Sequence, residues 1–137
     1  MKVVRLWLPA IVWMVVIFVL SGRQSISVSK DYWLNFLFFK TLHVIEYAIL
    51  FIFYIRGLHH CWPKEKVVNK YAIAFLLTIM YAVTDEIHQI FVATREGRVR
   101  DVIIDTLGAV LAWISITRLL PKGPKKLRQW VRNWLAI

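Results

Sequence analysis

Four long apolar segments, separated by short charged stretches, occupy most of this 137-residue chain. A transmembrane helix needs about 20 mainly apolar residues, at a rise of about 1.5 Å per residue. The segments cover approximately residues 3–20, 33–55, 71–94 and 99–120, so each is long enough to cross a bilayer once. The pattern predicts an all-α integral membrane protein with four transmembrane helices, forming a single domain over residues 1–137.

The composition excludes several other classes of protein. Hydrophobic residues make up 59% of the chain and charged residues 19%, against roughly 45–50% and about 25% in average globular proteins. With 5 Gly, 4 Pro and one Cys, the chain is not collagen-like, disordered or a disulfide scaffold. The net charge of +10 has to be interpreted from where the basic residues lie, because Lys and Arg commonly flank membrane spans. We expect no nucleic-acid partner.

The first apolar segment has two interpretations. Lys2 and Arg5 resemble the basic start of a signal peptide. The apolar run is long for a signal peptide, however, and Trp7, Pro9 and Trp13 are atypical of one. We therefore favour an uncleaved first transmembrane helix.

The distribution of Lys and Arg predicts the orientation, because cytoplasmic flanks carry the excess of basic residues. Most of the 18 basic residues lie at the N-terminus, in the second connection and in the tail, whereas the first and third connections carry few. We expect both termini to be cytoplasmic and the protein to reside in a bacterial plasma membrane. The second connection also contains His59-His60-Cys61, which we interpret as loop residues without a function.

The tail, residues 124–137, has a helical pattern of its own. Its apolar residues recur at helical spacing and its basic residues lie mostly off that stripe; the stripe consists of Leu127, Trp130, Val131, Trp134 and Leu135. We expect an amphipathic helix that lies in the plane of the membrane, with its Trp rings at headgroup level and its cations against anionic lipid.

Three of the four spans contain polar residues that share a helix face. The polar positions are Lys40, His43, Glu46 and Tyr47 in the second span; Asp85, Glu86, His88 and Gln89 in the third; and Asp101 and Asp105 in the fourth. Given the rise per residue and a hydrocarbon core of roughly 30 Å, the three sets are expected to meet in the outer half of the membrane. Gly108 and Ala112 continue the stripe of the fourth span, which we expect to face the bundle.

Ionisable side chains inside a membrane must be paired or enclosed. Each ionisable side chain that faces lipid raises the free energy of membrane insertion by about 2.5–3.5 kcal/mol. Five of them would cost on the order of 15 kcal/mol, which matches a typical folding stability of about 5–15 kcal/mol. One interpretation is a purely structural ion network, with Lys40 against Glu46 or Asp85 and with Arg95 or Arg98 against Glu86. The number and clustering of these groups favour a functional site instead.

The motifs in this cluster resemble those of the VanZ-like family of small membrane proteins, named for a protein associated with teicoplanin resistance. The matching residues are Ser21-Gly22-Arg23-Gln24-Ser25, Lys40 with His43, Glu46 and Tyr47, Asp85-Glu86-Ile87-His88-Gln89-Ile90-Phe91, Arg95, and Asp101 with Asp105, Gly108 and Ala109. The resemblance covers roughly residues 10–117. One departure is Ala93-Thr94, where family members often have Pro-Gly before the Arg. The resemblance implies the fold, a cell-envelope setting and an association with glycopeptide (teicoplanin) resistance.

The residue types in the cluster suggest an enzyme that acts on a lipid-linked or phosphorylated envelope component. The candidate catalytic residues are Asp85, Glu86, His88, His43 and Glu46, which would supply an acid or base. The candidate ligand-binding residues, in which Lys and Arg would hold phosphate or carboxylate oxygens, are Lys40, Tyr47, Gln89, Arg95, Arg98, Asp101 and Asp105.

Two alternatives use the same residues. The chain could shield an envelope lipid without chemistry, or it could be a proton-coupled carrier or scramblase with Glu46, Asp85 and Asp105 as a relay. The pairs His43-x-x-Glu46 and Asp85-x-x-His88 have the spacing of helical metal ligands, but neighbouring cations disfavour a divalent ion. We expect no metal and no cofactor. The expected partner is a membrane lipid or a lipid-linked envelope intermediate, and the oligomeric state stays open.

Overall fold

The computed structural model describes residues 2–23, 30–93, 95 and 97–135, and these are almost entirely helical. The five α-helices of this part of the chain are α1 (Lys2–Ser21), α2 (Tyr32–Cys61), α3 (Val67–Ile90), α4 (Val99–Ile114) and α5 (Lys125–Leu135). Four helical segments within it are long and apolar enough to cross a membrane: Val4–Ser21, Tyr32–Cys61, Val67–Ile90 and Val99–Lys122. The prediction of four membrane-spanning helices is confirmed to this extent.

Helix α2 extends further than the sequence indicated. It continues past residue 55 to Cys61, so His59-His60-Cys61 lies in its last turn, and the interpretation of these residues as a loop is wrong. The extension is stabilised by packing, because Leu58 and His59 are buried. The buried Lys70 Nζ of α3 lies 3.4 Å from His59 Nδ1.

The boundaries of α3 and α4 also differ from those predicted. Helix α3 begins at Val67, and it ends at Ile90 rather than at residue 94, because turn hydrogen bonds join Phe91 N to His88 O and Val92 N to Gln89 O. Helix α4 continues as a π-helical turn, Ser115–Leu119, and a 3-10 turn, Leu120–Lys122. Pro121 contributes to this irregular end because it has no N–H to donate to the preceding turn.

The closest approach between helices is that of α4 to α2 at Gly108. A Cβ at position 108 would collide with the carbonyl oxygen of Val44 and would lie 2.9 Å from the main-chain nitrogen of Ala48. Gly108, Ala109 and Ala112 are all buried, which confirms that the small-residue stripe of α4 faces the bundle. Small residues at a helix interface allow the backbones to approach closely. This contact aligns the polar residues of α2 with those of α4.

Apart from the buried His59 and Lys70, the core of the other half of the bundle is apolar and aromatic. The ring of Trp113 lies against three rings from α2 and α3, those of Phe51, Tyr71 and Phe75. Helix α5 folds back onto this half of the molecule. Trp134 packs on Phe53, and Leu135 is fully buried. The ionisable cluster is therefore confined to the opposite half, where α1 and α3 end and α2 and α4 begin; we call this the polar end.

Candidate functional site

The polar end brings together side chains from four helices and one loop. Because consecutive helices run in opposite directions, the C-terminal turns of α1 and α3 lie beside the N-terminal parts of α2 and α4. Asp85, Glu86, Gln89, Asp101 and Asp105 are all buried there. The inward orientation predicted for the intramembrane carboxylates is thus observed for most of them.

Lys40 of α2 pairs with Asp101 of α4. Its Nζ lies 2.7 Å from Asp101 Oδ2, and the two side chains are 21% and 10% exposed. The structural ion network considered as one interpretation, with Lys40 against Glu46 or Asp85, is not the pairing that the structure shows. The close packing at Gly108, two helical turns further along α4, places Asp101 opposite Lys40 instead.

His43 lies between two carboxylates. Its Nδ1 is 3.6 Å from Asp105 Oδ1 and 3.8 Å from Glu46 Oε2. Both oxygens of Asp105, the Tyr47 hydroxyl and His43 Nδ1 are buried and have no hydrogen-bond partner among the described residues. Since more than nine in ten buried polar groups in proteins are hydrogen-bonded, a group of unsatisfied atoms such as this one is unusual and is typical of a functional site.

Asp85 and Glu86, by contrast, are engaged in hydrogen bonds that join helices. Asp85 accepts hydrogen bonds from Ser21 Oγ at the end of α1, at 2.5 Å, and from Gln89 Nε2, at 3.0 Å. Glu86 accepts from the main-chain N–H of Arg98, at 2.8 Å. These two carboxylates attach α1 and the start of α4 to α3.

His88 packs against α1. Its ring stacks on Phe18 of α1 with a centroid distance of 3.8 Å, and a Cβ on Gly22 would lie 3.2 Å from its Cε1. Position 88 thus contributes to the packing of α1 on α3, and it lines neither of the two cavities at the polar end.

The larger of these cavities, which we call the rim cavity, is open and cationic. It has a volume of about 570 Å³, and four of its eight lining residues are Lys or Arg; the lining consists of Tyr32, Phe36, Lys40, Gln89, Arg95, Arg98, Arg100 and Asp101. Arg100 lies over the ring of Phe36, at 5.1 Å from its centroid. The single carboxylate in this lining is already paired with Lys40.

The smaller cavity, which we call the side cleft, lies between α1 and α2. It has a volume of about 150 Å³ and combines three apolar residues with polar and cationic ones; the lining consists of Leu20, Ser21, Arg23, Phe39, Leu42, His43, Glu46 and Arg95. Arg95 lines both cavities. The two cavities therefore meet at this one side chain.

Arg95 is held by a neutral group. Its Nε donates to the carbonyl oxygen of Arg23, at 3.1 Å. Within the part of the chain that the structure describes, Arg95 forms no ion pair with a carboxylate. Thr94, at the departure from the family pattern, lies outside the described residues.

The sequence did not indicate every residue of the site. Ser21 was part of a family motif but was not assigned a role; a hydroxyl at the end of an apolar helix is the signal that could have identified it. Arg100, Tyr32 and Phe36 were also missed. An aromatic pair and a basic residue at a helix end resemble the usual residues of a membrane interface, so their position gave no specific signal.

The expected absence of a metal stays a prediction. Among the described residues, no group of three or more His, Cys, Asp or Glu side chains is arranged to hold a metal ion. His43 and Glu46 are close to each other, whereas His88 faces α1, so the two helical pairs do not form one ligand set.

Comparison with known proteins gives one match. A family model described as VanZ/LLP1 matches residues 6–120, which include every residue of the rim cavity and the side cleft. No curated protein and no solved structure matches the chain. Helix α5 lies beyond the matched region.

Proposed function

The chain belongs to the VanZ/LLP1 family, and we propose that it binds the phosphate or carboxylate group of a lipid-linked or phosphorylated component of the bacterial cell envelope. The observation that carries this proposal is the rim cavity, where Lys40, Arg95, Arg98 and Arg100 surround one open volume together with a single carboxylate. A cavity with this excess of cations favours an anionic ligand.

The choice of cations supports an oxyanion as the ligand. Three of the four are Arg, whose planar guanidinium can donate two parallel hydrogen bonds to a phosphate or carboxylate. Arg95 is oriented by the Arg23 carbonyl through Nε, which leaves its terminal nitrogens to contact a ligand. Gln89 and Tyr32 add neutral polar groups to the same lining.

A specific observation favours catalysis as a second candidate function. His43 and Glu46 line the side cleft, and His43 lies close to both Glu46 and Asp105. An imidazole between two carboxylates, next to a cationic cavity, can accept or donate a proton at a bound phosphate ester. Asp85 and Glu86 are less suited to this role because Ser21, Gln89 and the Arg98 main chain occupy their oxygens.

The proposal includes an orientation in the membrane. The polar end faces outward and both termini face the cytoplasm, which the concentration of Lys and Arg at the opposite end and in the tail supports. With this orientation, the rim cavity opens toward the outer leaflet, where envelope intermediates are used.

The tail helix α5 is proposed to lie at the cytoplasmic membrane surface. Leu127 and Trp130 are 49% and 65% exposed, although α5 contacts α2 through Trp134 and Leu135. Its exposed basic residues include Lys125, Lys126 and Arg132. Exposed apolar and basic side chains on one short helix suit a bilayer interface that contains anionic lipid.

Glycopeptide susceptibility tests whether this binding has the consequence that the family resemblance implies. A Gram-positive host would express, at matched levels, wild type, Arg95→Ala and the control Arg118→Ala, which changes an exposed Arg of the π-helical turn after α4. We expect selective protection against teicoplanin relative to vancomycin from wild type and the control, and none from Arg95→Ala. Equal susceptibility of host and wild type would contradict a resistance role.

Two further variants and a vesicle assay separate the three modes of action. An enzyme loses protection when Glu46→Gln or His43→Gln removes the acid or base, with ligand binding intact. A shield that only binds keeps its protection in both variants. A proton-coupled carrier requires an imposed proton gradient in vesicles, so indifference to the gradient argues against it.

A further inference from the structure

We infer that the side cleft between α1 and α2 is a lateral opening to the membrane, through which the alkyl chain of an anionic lipid leaves the site while its phosphate is held at Arg95. This inference rests on the proposed function and adds the path of the lipid chain. The observation that supports it is the distribution of residues along the cleft, which has an apolar entrance and a polar, cationic inner end.

The entrance of the cleft faces lipid. Leu20 of α1 and Leu42 of α2 are 38% and 39% exposed, and both belong to helices that are long and apolar enough to span a membrane. Phe39, half-buried, is the third apolar residue of the lining. An alkyl chain at this entrance stays among apolar groups over its whole length.

The inner end of the cleft is polar. Ser21 and His43 are buried there, and Glu46 and Arg95 complete the lining. A ligand with both an anionic head and an apolar tail matches this change along the cleft. A water-soluble anion would use only the rim cavity, which is open and has few apolar residues.

The packing of α1 keeps the cleft open on one side. At its C-terminal end, α1 is attached to α3, because Ser21 Oγ donates to Asp85 and Phe18 stacks on His88. Further toward the apolar half, Trp13 Nε1 donates to the Glu46 carbonyl, at 2.8 Å, and joins α1 to α2. The cleft therefore lies at the polar end, on the outer side of the contact between Trp13 and Glu46.

A second apolar groove offers an alternative path for the chain. It lies between α3 and α4, has a volume of about 260 Å³, and includes Val83, Ile87 and Ile90. Its carboxylate, Glu86, already accepts the main-chain N–H of Arg98, and its lining contains neither Arg95 nor His43. The side cleft is favoured because it contains both the anion-binding Arg95 and the candidate acid–base residues.

The test compares a phosphate with an alkyl chain and one without. Full-length protein in nanodiscs of neutral phosphatidylcholine would be titrated with a long-chain polyprenyl phosphate and, separately, with methyl phosphate. The variants are Leu42→Trp and Leu20→Trp, which fill the cleft from either side. Val83→Trp fills the α3–α4 groove, and Leu37→Trp is the control at an exposed α2 position, 58% accessible, that lines neither cavity.

We expect Leu42→Trp and Leu20→Trp to weaken polyprenyl phosphate binding at least tenfold and to leave methyl phosphate binding within twofold of wild type. Leu37→Trp and Val83→Trp should bind both ligands as wild type does. Any of three results would overturn the inference. The two cleft variants could bind the lipid with wild-type affinity, only Val83→Trp could lose lipid binding, or the cleft variants could lose both ligands equally. If wild type binds neither phosphate, the proposed function itself has failed.

Discussion

Lys40 Nζ and Asp101 Oδ2 lie 2.7 Å apart, and this ion pair joins the beginning of α4 to α2 at the edge of the rim cavity. Together with Arg100 Nε, which lies 3.5 Å from Asp101 Oδ1, it neutralises the one carboxylate of the rim cavity, whose lining contains four cationic residues in all. The pair thus determines both how the two helices are held at the polar end and the charge that a ligand meets there.

Removing one partner of this pair should destabilise the protein measurably. The side chains are only partly exposed, so Lys40→Met or Asp101→Asn should lower the free energy of unfolding by about 1–3 kcal/mol, between the values for exposed and buried pairs. Denaturant unfolding in detergent measures this change. In a double-mutant cycle, Lys40→Met should be non-additive with Asp101→Asn and additive with the distant Glu65→Gln. Additivity with both would show that the ion pair is not formed.

The approach of α4 to α2 depends on the absence of a side chain at Gly108. Gly108→Ala adds a Cβ that collides with the Val44 carbonyl, and we expect a loss of about 1–3 kcal/mol in the free energy of unfolding. Anion binding should weaken as well, because Asp101 moves away from Lys40. Gly123→Ala is the milder comparison, since its Cβ would make a tight contact of 3.2 Å with the Leu120 carbonyl oxygen but no collision, in a segment outside the polar end. Equal stability of the two variants would contradict the described helix packing.

Ser21 should be a stabilising residue rather than a ligand-binding one. Ser21→Ala removes the hydroxyl that donates to the buried Asp85, and we expect it to lower the free energy of unfolding by about 1–3 kcal/mol. Methyl phosphate binding should remain within twofold of wild type, because Ser21 does not line the rim cavity. Ser115→Ala, at an exposed hydroxyl, is the control for unfolding and should behave as wild type. A Ser21→Ala variant with wild-type stability but no phosphate binding would reverse this assignment.

The position of α5 can be measured with spin labels in the full-length protein. A label at Trp130→Cys, on a Cys61→Ser background, should lie at headgroup depth in bilayers that contain anionic lipid, because Trp130 is 65% exposed on the apolar stripe. A label at Gln129→Cys, on the opposite side of the helix, should remain in water. Equal water accessibility of both labels would contradict an interfacial α5.

The polar faces of three helices were predictable because helical spacing alone determines which residues share a side. The helical period of α4 predicted that one face carries Asp101, Asp105 and Gly108, and all three residues are buried. The partners across helices were not predictable in the same way. Neither partner considered for Lys40 in a structural ion network, Glu46 or Asp85, is the observed one. Lys40 pairs with Asp101, because the register between α2 and α4 depends on how closely their backbones meet at Gly108.

Other differences between the predicted and the observed structure arise from tertiary contacts, which local sequence patterns do not indicate. Helix α2 continues through His59 because residues of other helices bury its last turns. His88 was a candidate acid or base, but its ring stacks on Phe18 of α1. Arg95 was predicted as a ligand residue, but only the structure shows that it lines both cavities.

The central claim is that Arg95 binds the anionic group of a lipid, and an affinity measurement tests it most directly. Wild type, Arg95→Gln and the control Arg118→Gln, at an exposed position outside both cavities and α5, would be titrated with long-chain polyprenyl phosphate in neutral nanodiscs. Loss of one hydrogen bond to a charged group, at about 1.5–3 kcal/mol, predicts a decrease in affinity of roughly 10- to 150-fold for Arg95→Gln and no change for the control. Equal affinities of wild type and Arg95→Gln would contradict the account.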